Sequence, residues 1–172
     1  IENWDIAPDI LCVGGSLSSG IPIGATVTKA DVMDWEPDSH ASTTGGNPLA
    51  CMAALATVEI IYKEHLMENA AKQGSYLLRR LSEFAAKHPI IGDIRGRGLI
   101  IGMEIVKDSS TKEPYPTGGE QVILKSWRHG VLLQMVGTST VRLCPPLSIS
   151  QDLIDASLEV LGTAISEVAT RA

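Results

Sequence analysis

Two strand-like runs that meet at a glycine-rich turn most constrain the fold of this chain. The segment IIGDIRGRGLIIGMEIV, residues 90–106, consists of apolar stretches joined at Arg95-Gly96-Arg97-Gly98. Short apolar runs on either side of such a junction are typical of strands joined by a tight turn. A helix-periodic stretch over residues 66–87 precedes them, with leucines at helical spacing on one face. The chain must therefore bury a helix face against a sheet.

The remaining part of the sequence extends this pattern. Four further elements are predicted, namely a helix over 118–129, strands over 131–136 and 140–144, and a helix that begins at Gln151. Gly130 suits the left-handed residue that ends a helix, and Ser150 suits an N-cap. The order helix–strand–strand–helix–strand–strand–helix indicates an α/β sandwich, with helices over one face of a small sheet.

The first part of the chain has fewer elements. Strands are predicted over 9–13 and 23–28, separated by the glycine- and serine-rich stretch CVGGSLSSG at 12–20. Asn47 can cap a helix that has Pro48 at its first position and continues to about Glu64. This helix is rich in alanine and large apolar residues, so we expect most of its surface to be buried.

Composition excludes several classes of function. A net charge of −6 and the absence of any longer run of basic residues argue against a nucleic-acid partner. No apolar run approaches the roughly 18 residues of a membrane span, so no membrane partner is expected. Cys12, Cys51 and Cys144 are widely spaced, which indicates reduced thiols and a cytoplasmic location. The four histidines lack metal-ligand spacing, and no metal site is expected. Because the chain begins at Ile1 without Met or a signal-peptide pattern, we expect a C-terminal fragment of a longer protein.

Two further features could bind a ligand. The loop His40-Ala-Ser-Thr-Thr-Gly-Gly-Asn47 leads into a helix N-terminus, and its hydroxyls and N–H groups could bind a phosphate or simply cap the helix. Arg142 lies in the apolar strand TVRLC, where it could bind a substrate carboxylate or form a structural ion pair. Local sequence favours the ion pair. The arginines of the RGRG segment are expected to be exposed in a tight turn.

These stretches occur in the order found in one enzyme family. PDILCVGGSLSSGIPIGATV, HASTTGGNPLACMAAL, IIGDIRGRGLIIGMEIV and TVRLCPPLSIS together resemble the C-terminal portion of the class III pyridoxal-phosphate-dependent aminotransferases. That family includes 4-aminobutyrate, ornithine and acetylornithine aminotransferases. The resemblance covers nearly the whole chain, and it implies the α/β fold of the fold-type-I transferases.

The resemblance also implies a division into domains. Residues 1–45 would be the end of the large domain that binds pyridoxal phosphate, 46–65 a connecting helix, and 66–172 the small C-terminal α/β domain. Thr43, with Ser42 beside it, matches the position that binds the cofactor phosphate of a neighbouring subunit, which implies a homodimer. Arg142 matches the arginine that binds a substrate carboxylate in the ornithine-type enzymes.

The sequence departs from the family at one position. In the family, the motif PDI is followed after four residues by the lysine that forms the Schiff base with the cofactor, and here that position is Gly15. Glycine can neither bind the cofactor covalently nor move a proton. The nearest lysine, Lys29, lies beyond the second predicted strand and is expected to point elsewhere.

The resemblance implies a reaction class. We expect amino-group transfer from an ω-amino acid such as 4-aminobutyrate to 2-oxoglutarate. Ornithine or acetylornithine as donor, or amino-acid racemisation on the same scaffold, are alternatives. A catalytically inactive chain is the alternative that Gly15 itself suggests.

Overall fold

The computed structural model describes residues 1–170 and divides the chain into two compact units. The first unit runs from Ile1 to Glu64, and the second begins at His65. The assignment of residues 1–45, 46–65 and 66–172 to the large domain, a connecting helix and the small domain stays a prediction. No helix within residues 1–170 has both the length and the apolar character needed to cross a bilayer.

The first unit contains a strand pair and one helix. After a short 3₁₀ turn at Glu2–Trp4, strands β1 (Ile10–Val13) and β2 (Ala25–Thr28) pair antiparallel, with Ile10 opposite Thr28 and Val13 opposite Ala25. Helix α1 (Pro48–Lys63) follows. The side chain of Asn47 accepts a hydrogen bond from the Ala50 N–H at 2.9 Å, so the predicted cap is formed.

The expectation that α1 is mostly buried is wrong for this structure. Ala50 is its single buried residue, whereas Leu49 and Met52 leave 69% and 64% of their surface exposed. Within the first unit, α1 packs on no other helix or strand. The apolar side chains of α1 therefore have no neighbouring element in this unit to cover them.

The second unit is a sheet covered by helices. Its elements are α2 (Leu66–Ala85), β3 (Ile91–Arg97), β4 (Ile100–Ile105), α3 (Pro116–Arg128), β5 (Gln134–Val136), β6 (Thr140–Leu143) and α4 (Gln151–Ala169). The four strands pair antiparallel in the order β3-β4-β6-β5. Ser150 caps α4 by accepting from the Leu153 N–H, and Gly130 has a φ of +89°, as their predicted roles require.

Alternation along the strands separates the two faces of this sheet. Ile101, Met103 and Ile105 of β4 are fully buried, and Val141 and Leu143 of β6 join them in the core. Leucines and isoleucines of α2 and α4, together with Val122 of α3, cover this face. The residues between them, Gly102, Glu104 and Arg142 among them, point to the other face because successive side chains alternate. The predicted arrangement of helices over one face is confirmed.

Element boundaries differ from the expected ones where the turns are shorter or longer than the pattern suggests. The segment Arg95–Arg97 continues β3, so the turn comes at Gly98, which has a φ of +54°. The run VLLQMV forms a strand only at Gln134–Val136, where it pairs with β6 at the edge of the sheet. Helix α3 begins at Pro116, two residues before the expected start, since Pro fits the first helical position.

The turn after β3 lies against α2 at a helical glycine. Gly74 is buried, and a Cβ atom added to it would overlap the backbone carbonyl of Gly98. The carbonyl of Gly98 belongs to the backbone and cannot rotate away as a flexible side chain could. Only glycine at position 74 therefore allows the helix to approach the turn so closely.

Gly74→Ala is therefore expected to destabilise the protein by at least about 1 kcal/mol, although alanine is the better helix former by a similar amount. Ser75→Ala, at the exposed next position, is the control and is expected to change stability by less than about 0.5 kcal/mol. Chemical denaturation of both variants measures the difference. A Gly74→Ala variant as stable as the wild type would contradict the close contact.

Candidate active site

The connection between β1 and β2 contains the position that was expected to hold a lysine. Gly15 has a φ of +64°, and a Cβ atom built on it would have no neighbour within 4 Å. The position is thus open to a side chain, but its backbone adopts a conformation that costs an L-residue about 1–2 kcal/mol. As the sequence stands, Gly15 presents no reactive group at this place.

The nearest lysine is held at the opposite end of the strand pair. Lys29 Nζ lies 2.7 Å from Asp9 Oδ1, and the Thr28 hydroxyl donates to the Asp9 carbonyl at 2.7 Å. These contacts close the end where β1 begins, whereas Gly15 follows the end of β1. A four-residue strand spans roughly 10–13 Å, so Lys29 does not reach the position of Gly15 while this ion pair holds.

The loop before α1 is shaped by its own side chains. Ser42 Oγ accepts a hydrogen bond from the Gly45 N–H at 2.9 Å, and Asn47 Nδ2 donates to the Thr44 carbonyl at 3.1 Å. A Cβ atom at Gly45 would come within 2.7 Å of Ser42 Oγ, which explains the glycine there. The Ser42 hydroxyl therefore orders the loop, a role that sequence reasoning did not assign to it.

Thr43 differs from its neighbour. It is exposed, and its hydroxyl makes no hydrogen bond with other residues in the part of the chain described here. The loop also borders a recess of about 620 Å³ in the first unit, lined in part by His40, Ser42 and Thr44 and by Pro22–Gly24 of the hairpin connection. Thr43 does not line this recess, so it is available to a group outside it.

Arg142 lies on the helix-free face of the sheet in the second unit. It is half-buried, and its Nε is shielded from solvent without an acceptor. Its Nη2 lies 3.6 Å from Cys144 Sγ, two residues along the same face. No carboxylate lies within ion-pair distance of Arg142 among residues 1–170. The structural ion pair favoured by local sequence is therefore not formed within the described part of the chain.

Arg95 is exposed, as expected, but it does not lie in the turn. It lies on β3, and its Nη1 contacts Asp93 Oδ2 at 2.7 Å and Glu104 Oε2 at 3.0 Å. Hydrogen bonds to these two carboxylates raise the pKa of the Arg95 guanidinium above its ordinary value. The alternation of β3 and β4 could have shown that these groups share a face, had the register been known.

These residues agree with only part of what pyridoxal phosphate requires. An unpaired hydroxyl at Thr43 and the loop glycines fit a phosphate group, and the orphaned Arg142 Nε fits a carboxylate. Gly15 does not fit covalent attachment, because it carries no amine and Lys29 is engaged elsewhere. The chain therefore fits non-covalent binding of the cofactor and not its attachment.

Comparison with known proteins relates nearly the whole chain to one family. The sequence model of the aminotransferase class-III family matches residues 1–165. An isoleucine 2-epimerase from Lentilactobacillus buchneri is 41% identical over 165 residues, which cover 95% of this chain and 37% of that protein. An acetylornithine aminotransferase from Methanothermobacter thermautotrophicus is 40% identical over 168 residues, which cover 97% of this chain and 40% of that protein.

Solved structures agree with the sequence relatives. An amine transaminase from an uncultivated Pseudomonas species, in its pyridoxal-phosphate-bound form, superimposes with a TM-score of 0.91 at 32% identity, over 97% of this chain and 40% of that one. The chain thus spans about two fifths of the length of its relatives. A family match over nearly all residues, together with this fold, shows that the chain belongs to the class-III aminotransferases, the pyridoxal-phosphate-dependent family that it resembles.

Proposed function

We propose that this chain is the C-terminal portion of a pyridoxal-phosphate-dependent enzyme that acts on the amino group of an amino acid. Residues 1–45 would end its large domain, 46–65 would connect, and 66–172 would form the small domain. The observation that carries the proposal is the half-buried, unpaired guanidinium of Arg142 in a chain of this family. A half-buried cation without a carboxylate partner among the described residues is suited to a ligand carboxylate.

The proposed substrates are those that the family resemblance implies. We propose transfer from an ω-amino acid such as 4-aminobutyrate to 2-oxoglutarate, since both carry a carboxylate that Arg142 could bind through parallel hydrogen bonds. Ornithine and acetylornithine are alternative donors, and one relative is an acetylornithine aminotransferase. Racemisation is the second candidate, because another relative of similar identity is an isoleucine 2-epimerase.

The cofactor supplies one part of the chemistry and the chain the rest. When bound, pyridoxal phosphate withdraws electrons from the carbon that carries the substrate amino group. Thr43 would bind its phosphate, with Ser42 keeping the loop in shape, and Arg142 would orient the substrate. Gly15 has no group that could hold or move a proton. The alternative that Gly15 suggests is a chain that binds its ligands without turning them over.

Assembly and location are further parts of the proposal. Thr43 would reach the cofactor of a second copy in a homodimer, which is supported by its exposed and unpaired hydroxyl. The exposed apolar side chains of α1 are the kind of surface that such contacts cover. We place the protein in the cytoplasm, consistent with three free cysteines among its described residues.

The effect of Gly15 is tested by restoring the lysine. In the full-length protein that contains this chain, Gly15→Lys is expected to attach pyridoxal phosphate covalently, whereas the Gly15 protein binds it reversibly. Reduction with borohydride followed by peptide mass spectrometry identifies the modified residue. Gly14→Lys is the matched control, because Gly14 is equally open but one position away, and no attachment is expected there.

Two results would contradict this assignment. Covalent cofactor on the unmodified protein would show that another lysine serves, and Lys29→Gln would then identify or exclude Lys29. Failure of both the Gly15 and the Gly15→Lys proteins to bind cofactor would overturn the proposed function itself.

Substitutions of Ser42 and Thr43 are expected to have different effects in a second test. Ser42→Ala removes the acceptor of the Gly45 N–H, so amide hydrogen exchange at Gly45 should become faster. Thr43→Val should leave that exchange rate unchanged and weaken binding of pyridoxal phosphate by about tenfold or more, the effect of losing one hydrogen bond to a charged group. Equal cofactor affinity in Thr43→Val and wild type would exclude Thr43 as a phosphate ligand.

The two reaction classes are separated in the Gly15→Lys protein. An aminotransferase produces a 2-oxo acid or an aldehyde from the donor and glutamate from 2-oxoglutarate. A racemase produces neither, and it incorporates deuterium at the α-carbon of recovered amino acid in heavy water. Chiral chromatography and mass spectrometry of the same reaction mixture measure both outcomes.

Arg142→Gln should raise the KM for either class of substrate.

A further inference from the structure

The helix-free face of the sheet brings charged residues from three strands together. Arg95 of β3 is opposite Gly102 of β4, which is in turn opposite Arg142 of β6. In the neighbouring row, Glu104 of β4 is opposite Thr140 of β6. The residues of β4 and β6 alternate with buried ones, and Arg95 is in register with Gly102, so their side chains share one face.

Glu104 is the carboxylate closest in register to Arg142. It is its diagonal neighbour on the adjacent strand, and diagonal positions are about 7–8 Å apart, within reach of long side chains. Gly102, directly opposite Arg142, has no side chain to stand between them. Glu104 would therefore be the natural ion-pair partner of Arg142.

Glu104 is instead bound to Arg95. The guanidinium of Arg95 holds Glu104 at 3.0 Å and Asp93 at 2.7 Å through the same nitrogen. Glu104 is the less exposed of the two carboxylates, at 30% against 50% for Asp93. Within the described residues, the side chain of Arg142 hydrogen-bonds only to a thiol and leaves its Nε without an acceptor.

We propose that Arg95 is a positioning residue that keeps Glu104 away from Arg142, so that Arg142 stays available for a substrate carboxylate. Arg95 itself does not touch the ligand. Without it, Glu104 turns to Arg142 and becomes an internal competitor of the substrate. The inference rests on the proposed role of Arg142 in binding a carboxylate.

The test measures the state of Arg142 directly. In the full-length protein that contains this chain, the Nε–H resonance of Arg142 is assigned by comparison with Arg142→Gln and followed by NMR. Arg95→Gln is expected to shift this resonance in the absence of any ligand. The double variant Arg95→Gln with Glu104→Gln is expected to return it to its wild-type position, because the competing carboxylate is then gone.

Titration with 2-oxoglutarate gives the second measurement. Arg95→Gln is expected to raise its dissociation constant about three- to fivefold, the effect of one exposed ion pair. The double variant should bind within about twofold of wild type, and Arg95→Lys, which can still hold Glu104, should do the same. Lys107→Gln removes one positive charge from the pair with Glu113 and is the charge-matched control, with no change expected.

The outcomes separate this inference from the proposed function. If 2-oxoglutarate affinity is the same in Arg142→Gln as in wild type, the carboxylate site is wrong. If Arg142→Gln weakens binding but Arg95→Gln changes neither the resonance nor the affinity, only the role of Arg95 is overturned. An effect of Arg95→Gln that the double variant does not reverse would show that Arg95 acts through folding, which urea denaturation of each variant would reveal, and would likewise overturn the inference.

Discussion

Burial of one face of the four-stranded sheet organises the second unit. Alternate residues of β4 and β6, such as Ile101, Met103 and Val141, pack against α2, α3 and α4, and each buried side chain of this size contributes about 1.5–3 kcal/mol. A slip of one residue in register would turn this entire apolar set to the solvent, so the register is strongly held. The same register fixes the opposite face of the sheet. Its polar residues therefore have defined neighbours, although they are not part of the core.

The chemistry of the open face is a product of that register. Arg95, Glu104 and Arg142 come from three strands, and their relative positions are set by the core residues that alternate with them. Two carboxylates form ion pairs with Arg95, whereas none within residues 1–170 does so with Arg142. The distribution of ion pairs on this face, rather than the presence of an arginine, is what makes Arg142 suitable for a ligand. In the first unit, β1 and β2 pair in regular register, but Gly15 in the connection between them presents no reactive side chain.

Most elements could be predicted from local patterns. The caps at Asn47 and Ser150 and the left-handed Gly130 were predicted correctly, because each depends on interactions within a few residues. The burial of α1 was not, since an apolar helix indicates that something covers it but not whether that partner lies in the same stretch of chain. The exact turn after β3 was also missed, because two glycines of the RGRG segment are equally good turn residues and only strand pairing selects Gly98.

The sequence by itself determined the class of fold, the family and the vacancy at Gly15, since these depend on residue types and spacing along the chain. It also marked Arg142, for which local sequence favoured an ion pair that residues 1–170 do not form. Only the tertiary structure decided that Glu104 belongs to Arg95, that Lys29 is paired with Asp9 and that Ser42 binds the backbone of its own loop. The physical reason is that an ion pair is a competition among all charges within reach. Which charges are within reach depends on strand register, which no local window of sequence contains.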